Sequence, residues 1–430
     1  MLGNAGVFRK DLAVLLAVLW SLGTPNSGNA EIIVPSGFEV QEWTVPGATK
    51  IEAIRNTAYG EGVMGVYVTA DTLVLWRCDY SGTIEDFARF PVISDTYVNG
   101  IRFDRVGTYG HMLLLNRRRG LTETTIATVS PEGSMTDRVS FGSSVDGMSG
   151  ELEISFGTVG YEQGIYFYDC YHPQGQPMLH MDEGFSLTTI IPDAMPPDRG
   201  DIDGCDMKMD PLGAFGLYLT LTDSDLNDDY LSAIYQITPA MEWRELVPPA
   251  GTSERVFRGF AFGVLGAFGH SLYVADDGAK RVWTVSPEGN LTEFASGFSS
   301  IYHMTMSEDG MHLWMANDST LYHVRSTQPA ADSPVNMPCR PVLLSPYPNP
   351  SAGVVHMPYF APKPGYMRFS VCDLLGRKLR QIEDFVNDSG YHRVSWDGRD
   401  DAGCPVPPGS YMIMPTHERG TDAICMIRLP

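Results

Sequence analysis

Gly259-Phe260-Ala261-Phe262-Gly263 and, beyond a turn marked by Gly266 and Gly269, Leu272-Tyr273-Val274-Ala275-Asp276 form the stretch whose reading decides the fold. Apolar residues alternate in both runs, and a period of two marks a strand. Arg281-Val282-Trp283-Thr284-Val285 follows, then the turn Ser286-Pro287-Glu288-Gly289, then Leu291-Thr292-Glu293-Phe294. Four short strands joined by tight turns within about 40 residues make one small antiparallel sheet.

The unit recurs. Alternating apolar runs return at Gly65–Thr69, Met112–Leu115, Ile165–Tyr168, Leu217–Leu221, Leu272–Ala275 and Leu313–Ala316, each after a glycine-marked turn. Repeats of about 40–55 residues with four strands each predict propeller blades. Six units predict a six-bladed β-propeller over 31–325. The third, Gly150 to Pro192, is irregular. The last, Tyr302 to Val324, is one strand short. Phe38-Glu39-Val40-Gln41-Glu42-Trp43 also alternates and is otherwise unplaced. It can supply the missing outer strand, because closure removes exposed sheet edges.

The chain has 430 residues, 43% hydrophobic and 19% charged, which is ample core material. Its 30 basic and 52 acidic side chains give a formal charge of -22. That balance argues against nucleic acid and anionic membrane surfaces as partners, since both need a basic face. Residues 1–30 read as an export signal. Arg9 and Lys10 precede an apolar core from Leu12 to Leu22, and small Gly28 and Ala30 precede Glu31. No later stretch is long and apolar enough to span a bilayer as a helix. Localisation outside the cytoplasm or at the cell surface is therefore expected. Seven cysteines (78, 170, 205, 339, 372, 404 and 425) include no C-x-x-C pair. Those at 78, 170 and 205 read as small buried hydrophobes, and one or two bridges are expected among the last four.

Seven prolines between Ser326 and Pro350 predict an extended linker over 326–350. Six or seven short strands in 351–430 predict a small Ig-like β-sandwich. Trp396 alternates with Val394 and reads as core, while Gly398 and Gly403 suit a loop with positive φ. Residues 341–430 hold nine acidic and nine basic side chains, so the negative excess lies on the propeller.

The repeated Gly-apolar-x-apolar, Gly-x-x-Gly and Leu-Tyr-Val-Ala-Asp elements, clearest at Gly259 to Asp276, resemble the NHL and gluconolactonase-like propeller superfamily. In the tail, Ser345-Pro346-Tyr347-Pro348-Asn349-Pro350, Cys372-Asp373-Leu374-Leu375-Gly376-Arg377, Gly390-Tyr391-His392-Arg393-Val394-Ser395-Trp396-Asp397-Gly398 and Pro408-Gly409-Ser410-Tyr411 occur in order. This pattern resembles the Ig-like module of flagellar hook-capping (FlgD) proteins and type IX secretion sorting domains. It implies an address or attachment role through secretion machinery or the cell surface.

Standard catalytic motifs are missing. Gly147-Met148-Ser149-Gly150-Glu151 is no nucleophile elbow, and neither His-Glu-x-x-His nor a nucleotide-binding glycine motif occurs. Asp223 to Asp229 begins like a calcium loop but lacks the sixth-position Gly and the twelfth-position Glu, where Ile234 stands. Aligning the inner strands on an opening Gly, or on Ala53 and His303 in the first and last units, places Glu52, Asn99, Ser149, Asp203, Arg258 and Tyr302 at one mouth of the central channel. Glu52, Asn99 and Asp203 are hard oxygen donors suited to calcium. Gluconolactonase-like enzymes use such a Glu, Asn and Asp set, so the resemblance implies Asp203 as a base beside a cation that polarises a lactone carbonyl. Arg258 departs from that set. The plainer reading is polar pairing across the channel. The expected function is accordingly an exported binding protein whose propeller recognises an extracellular ligand or protein. The alternative is a calcium-dependent lactonase-like hydrolase.

Overall fold

A computed structural model describes residues 31–327 and 342–430, apart from 57, 94, 106–107, 120–122, 143–151, 156–163, 169–177, 192–201, 211–216, 225–229, 239, 250–254, 264–265, 344–345, 347–348, 362–363, 387–389 and 417–422. The expected export signal, Ser149, the distal part of the acidic 223–229 loop and most of the Pro-rich segment lie outside the described residues.

Residues 38–326 form six four-stranded antiparallel sheets. Blades 1 to 5 occupy 50–91, 96–142, 152–191, 202–247 and 257–296, each with its strands paired in chain order. Blade 6 draws three strands from 303–326 and its outermost from the other end of the propeller. Phe38–Thr44 runs antiparallel to Thr320–Ser326, with Phe38 opposite Ser326 and Thr44 opposite Thr320. The strand left unplaced by the repeat closes the ring.

The runs that announce the repeat are all second strands: Gly60–Val68, Leu113–Arg119, Gly164–Tyr168, Leu217–Ser224, Ser271–Asp276 and His312–Ala316. Their described apolar side chains lie between two neighbouring blades and pack on both faces. Alternation then sorts side chains between interfaces rather than between core and solvent. Leu113 and Leu115 pack toward blade 1, and Leu114 packs toward blade 3. Ile165 and Phe167 pack toward blade 2, and Tyr166 and Tyr168 toward blade 4. Six such clusters fill the six interfaces. In the one between blades 6 and 1, Trp314, Ala316 and Leu321 meet Ile51, Val63 and Trp76. Each fully buried Leu or Phe contributes roughly 1.5–3 kcal/mol. The architecture is a closed six-bladed β-propeller.

Residues 342–430 form a second unit of two sheets around one core. Val342–Leu343, Val355–Ala361 and Gly390–Trp396 make one; Lys378–Val386, Gly365–Asp373, Gly409–Pro415 and Ile424–Arg428 make the other. Met357, Tyr359 and Trp396 of the first interleave with Phe369, Val371 and Ile413 of the second. This is the Ig-like sandwich. Its boundary lies earlier than 351, because Val342 and Leu343 pair with Phe360 and Tyr359 and Leu343 joins the core. Trp396 is buried and donates to the Arg399 carbonyl (2.8 Å). Gly398 and Gly403 both take positive φ, 73° and 80°. Among the described cysteines, 78, 372, 404 and 425 are all unbridged, so the bridge expected in the tail is not formed. No helix among the described residues is long and apolar enough to cross a membrane.

Ring closure carries its own polar risk. His323 is fully buried, stacked 3.8 Å from Trp314 and 5.6 Å from Trp43 of the closing strand. Its Nε2 lies 2.8 Å from Nδ1 of His312, which stacks 4.1 Å from Tyr80 of blade 1. Nδ1 of His323 is buried without a partner. Burial, reinforced by His312 and Arg325, pushes the His323 pKa down to about 3. His312 is lowered too, by burial first, against the raising pull of Asp309. In the unfolded chain both imidazoles titrate near 6.5. For His323 the unfolded state therefore binds more protons between about 3 and 6.5, and stability falls as pH drops through that range, by up to about 1.4 kcal/mol per unit; His312 adds a loss of the same sign. Melting temperatures across pH 7 to 4 should fall steeply in the wild type and less steeply in His323→Phe; identical slopes would show that the pair is not acid-labile.

Candidate functional site

The first strand of each blade is a sheet edge facing the axis. Such an edge carries backbone N–H groups with no ladder partner, and buried orphans are costly. Side chains from the neighbouring blade supply the acceptors. Glu52 of blade 1 accepts from the Phe103 N–H of blade 2 (3.4 Å). Asp206 of blade 4 accepts from the Phe260 N–H of blade 5 (2.8 Å). Thr305 of blade 6 accepts from the Ala53 N–H of blade 1 (3.0 Å), and its hydroxyl donates to Glu52 (3.4 Å).

Between blades 2 and 4 a guanidinium takes over. Arg102 donates Nε to Glu153 of blade 3 (2.8 Å), Nη2 to Asp206 of blade 4 (3.3 Å) and Nη1 to its neighbour's carbonyl, Ile101 (2.8 Å). Lys208 stands 3.8 Å from Glu153. Arg105 donates to Glu52 (3.0 Å) and lies 3.7 Å from Glu308. All but Arg105 are buried. Burial opposes the charge on Arg102, but Glu153, Asp206 and Glu52 override it and hold the pKa raised. Burial pushes the Glu153 carboxyl up, against Lys208 and Arg102.

These contacts define the belt of the channel. If each acceptor serves the residue that follows the next belt member, the belt is Glu52, Arg102, Glu153, Asp206, Gly259 and Thr305. Gly259 is the member without a side chain. A Cβ there would lie 3.0 Å from the Met304 nitrogen, so any side chain at this position would push the backbones of blades 5 and 6 apart by a few tenths of an ångström.

Of the residues singled out by sequence, Glu52 alone belongs to the belt. Asn99 sits in the inner strand of blade 2 where pairing skips from Val98 to Gly100. Asp203 pairs with Thr222 in blade 4, its side chain outside the described residues. Both precede a belt residue by three positions, roughly 10 Å along a strand. Arg258 and Tyr302 lie at the same end of the channel, with the guanidinium carbon 5.9 Å from the ring centroid. Arg102, Glu153, Asp206 and Thr305 escaped the sequence reading. The signal was there in Ile101-Arg102-Phe103, Leu152-Glu153-Ile154 and Met207-Lys208-Met209, where a lone charge interrupts an apolar strand and must find a buried partner.

Calcium needs six or more oxygens around one point. The Glu52 oxygens face Arg105, an amide and a hydroxyl, and Glu153 and Asp206 face Arg102. Among the described residues no group of three or more His, Cys, Asp or Glu could hold a metal ion. The belt, with cations set between its carboxylates, does not fit calcium.

The propeller has many distant likenesses among solved structures. A gluconolactonase of Xanthomonas campestris is 12% identical, over 71% of this chain and 99% of that one, with a TM-score of 0.45. Virginiamycin B lyase of Staphylococcus aureus is 12% identical, over 67% and 99%, at 0.42. Hydrazine synthase of Kuenenia stuttgartiensis is 12% identical, over 66% and 96%, at 0.41. No family pattern and no curated protein matches the chain. The fold rests on the strand pairing above, and likenesses this distant bear on nothing further.

Removing one partner of a buried ion pair costs about 3–5 kcal/mol, because a charge is left unpaired. Arg102→Met should lower unfolding free energy by that amount in urea titrations, and adding Glu153→Gln should return part of it. A loss below 1 kcal/mol would mean the belt does not hold blades 2 to 4 together.

Proposed function

We propose that the chain is an exported bacterial recognition protein, with the propeller channel binding an extracellular ligand and the Ig-like tail serving sorting or surface attachment. The observation that carries the first half is the commitment of the belt. Glu52, Glu153 and Asp206 each spend their oxygens on a neighbouring blade. A general base must reach a substrate proton and be free to change charge. Carboxylates fixed by guanidinium and amide donors instead make a rigid floor, and rigidity favours binding by lowering the ordering cost. The charge-balanced tail, and the resemblance of its motifs to hook-capping and sorting modules, support the second half.

Full-length protein should show no lactone turnover and no stoichiometric calcium, and the same should hold for Asp203→Ala. One calcium per chain together with lactone hydrolysis lost in Asp203→Ala would replace this reading with a metal-dependent hydrolase. For the tail, cells making the chain with and without 351–430 should differ in surface-bound protein by fractionation; equal amounts would remove the attachment role.

A further inference from the structure

One end of the channel carries basic side chains beyond the belt. His303 and Lys50 stand two residues before the belt members Thr305 and Glu52. A spacing of two keeps them on the axis side of their strands. Arg258 immediately precedes Gly259, at the residues where pairing in blade 5 skips from Phe257 to Phe260. Bulges of this kind re-aim a side chain. The inner strands of blades 1, 6 and 5 thus bring Lys50, His303 and Arg258 to one arc.

The arc is basic and partly unsatisfied. Arg258 pairs with no carboxylate among the described residues; its guanidinium lies over the Tyr302 ring, and its Nε is buried without an acceptor among the described residues. Neither His303 nitrogen has a hydrogen-bond partner among the described residues. Burial, with Lys50, Arg102, Lys208 and Arg258 acting from four different blades, holds the imidazole well below its ordinary pKa. Cations from four blades reach one ring only if they converge near the axis. A guanidinium is a planar fork that matches a carboxylate or phosphate. Leaving such a donor unfilled in a buried place is costly, and a ligand acceptor relieves that cost.

We infer that Arg258 and His303, with Lys50 beside them and the Tyr302 ring as a wall, form a binding site for the oxyanion, carboxylate or phosphate, of an organic ligand entering this end of the channel. The inference rests on the recognition reading above and names the ligand's chemistry.

Calorimetry on the full chain at fixed ionic strength, with glucuronate and inorganic phosphate as separate probes, tests it. At least one probe should bind, and the stronger of the two identifies the anion class. Arg258→Ala should weaken that binding at least tenfold, and Arg258→Lys should restore part of it. Should Arg258→Ala fail to fold, the wild type still decides: the probe should raise the His303 protonation midpoint in imidazole NMR spectra, since an adjacent anion favours the charged ring. No binding of either probe, equal binding by Arg258→Ala, or an unmoved His303 midpoint at saturation would overturn the site. A neutral ligand bound equally by wild type and Arg258→Ala would sink the anion site and leave the recognition reading standing.

Discussion

A propeller places six sheet edges around one axis, and every edge offers backbone donors that no ladder strand can meet. That unmet hydrogen bonding organises the centre of this protein. Glu52, Asp206 and Thr305 each reach across an interface to cap an amide of the next blade. Once carboxylates sit there, they need counter-charges, and Arg102 and Arg105 supply them from blade 2. The belt is thus the price of closing sheets around a channel. Its charges are structural first, which limits what chemistry the same groups can perform.

The same closure explains why the blade strands read as they do. A strand in an open antiparallel sheet shows one wet face and one dry face. The second strand of blade 2 packs against a blade on each side, so Leu113-Leu114-Leu115 divides between two clusters instead of between core and water. The last interface must be made by residues far apart in the chain. Trp43, Trp314 and the His312–His323 pair make it, an aromatic stack with polar atoms inside. Stacking gains contact area, while the imidazoles tie that contact to their neutral form.

Much of this was legible in the residues. The blades, the closing strand at 38–43, the core position of Trp396 and the positive φ of Gly398 and Gly403 follow from period-two patterning and turn chemistry, which are local. The belt left only lone charges in apolar strands as its signal, and its register was missed for a geometric reason. Alignment on the opening glycines assumes equal spacing to the axis, but pairing skips at Asn99, at Cys205 and at Arg258-Gly259. Each skip moves the inward register within one blade only. Glu52 is the one position the alignment placed in the belt; blade 6 also runs without a skip, and there the alignment fell three residues short of Thr305 because it took His303 as the opening residue. The sandwich boundary was missed similarly, because Val342-Leu343 is too short a run to show a period before its partner strand is known.

Those skips also bear on what the channel can recognise. A register shift re-aims a side chain, and Arg258 stands at such a shift. The molecule carries a net charge of -22, so its distant field repels anions. That field fades over a Debye length of about 8 Å at physiological salt. Inside the channel the balance is set by nearby groups, and Lys50, Arg102, Lys208 and Arg258 all act on His303. An anion would gain nothing from long-range steering and would be selected by contact alone. For a protein exposed to a mixture of solutes, that arrangement favours discrimination over speed of capture, since like-charge repulsion disfavours weak encounters while a guanidinium fork rewards only a group of the right shape.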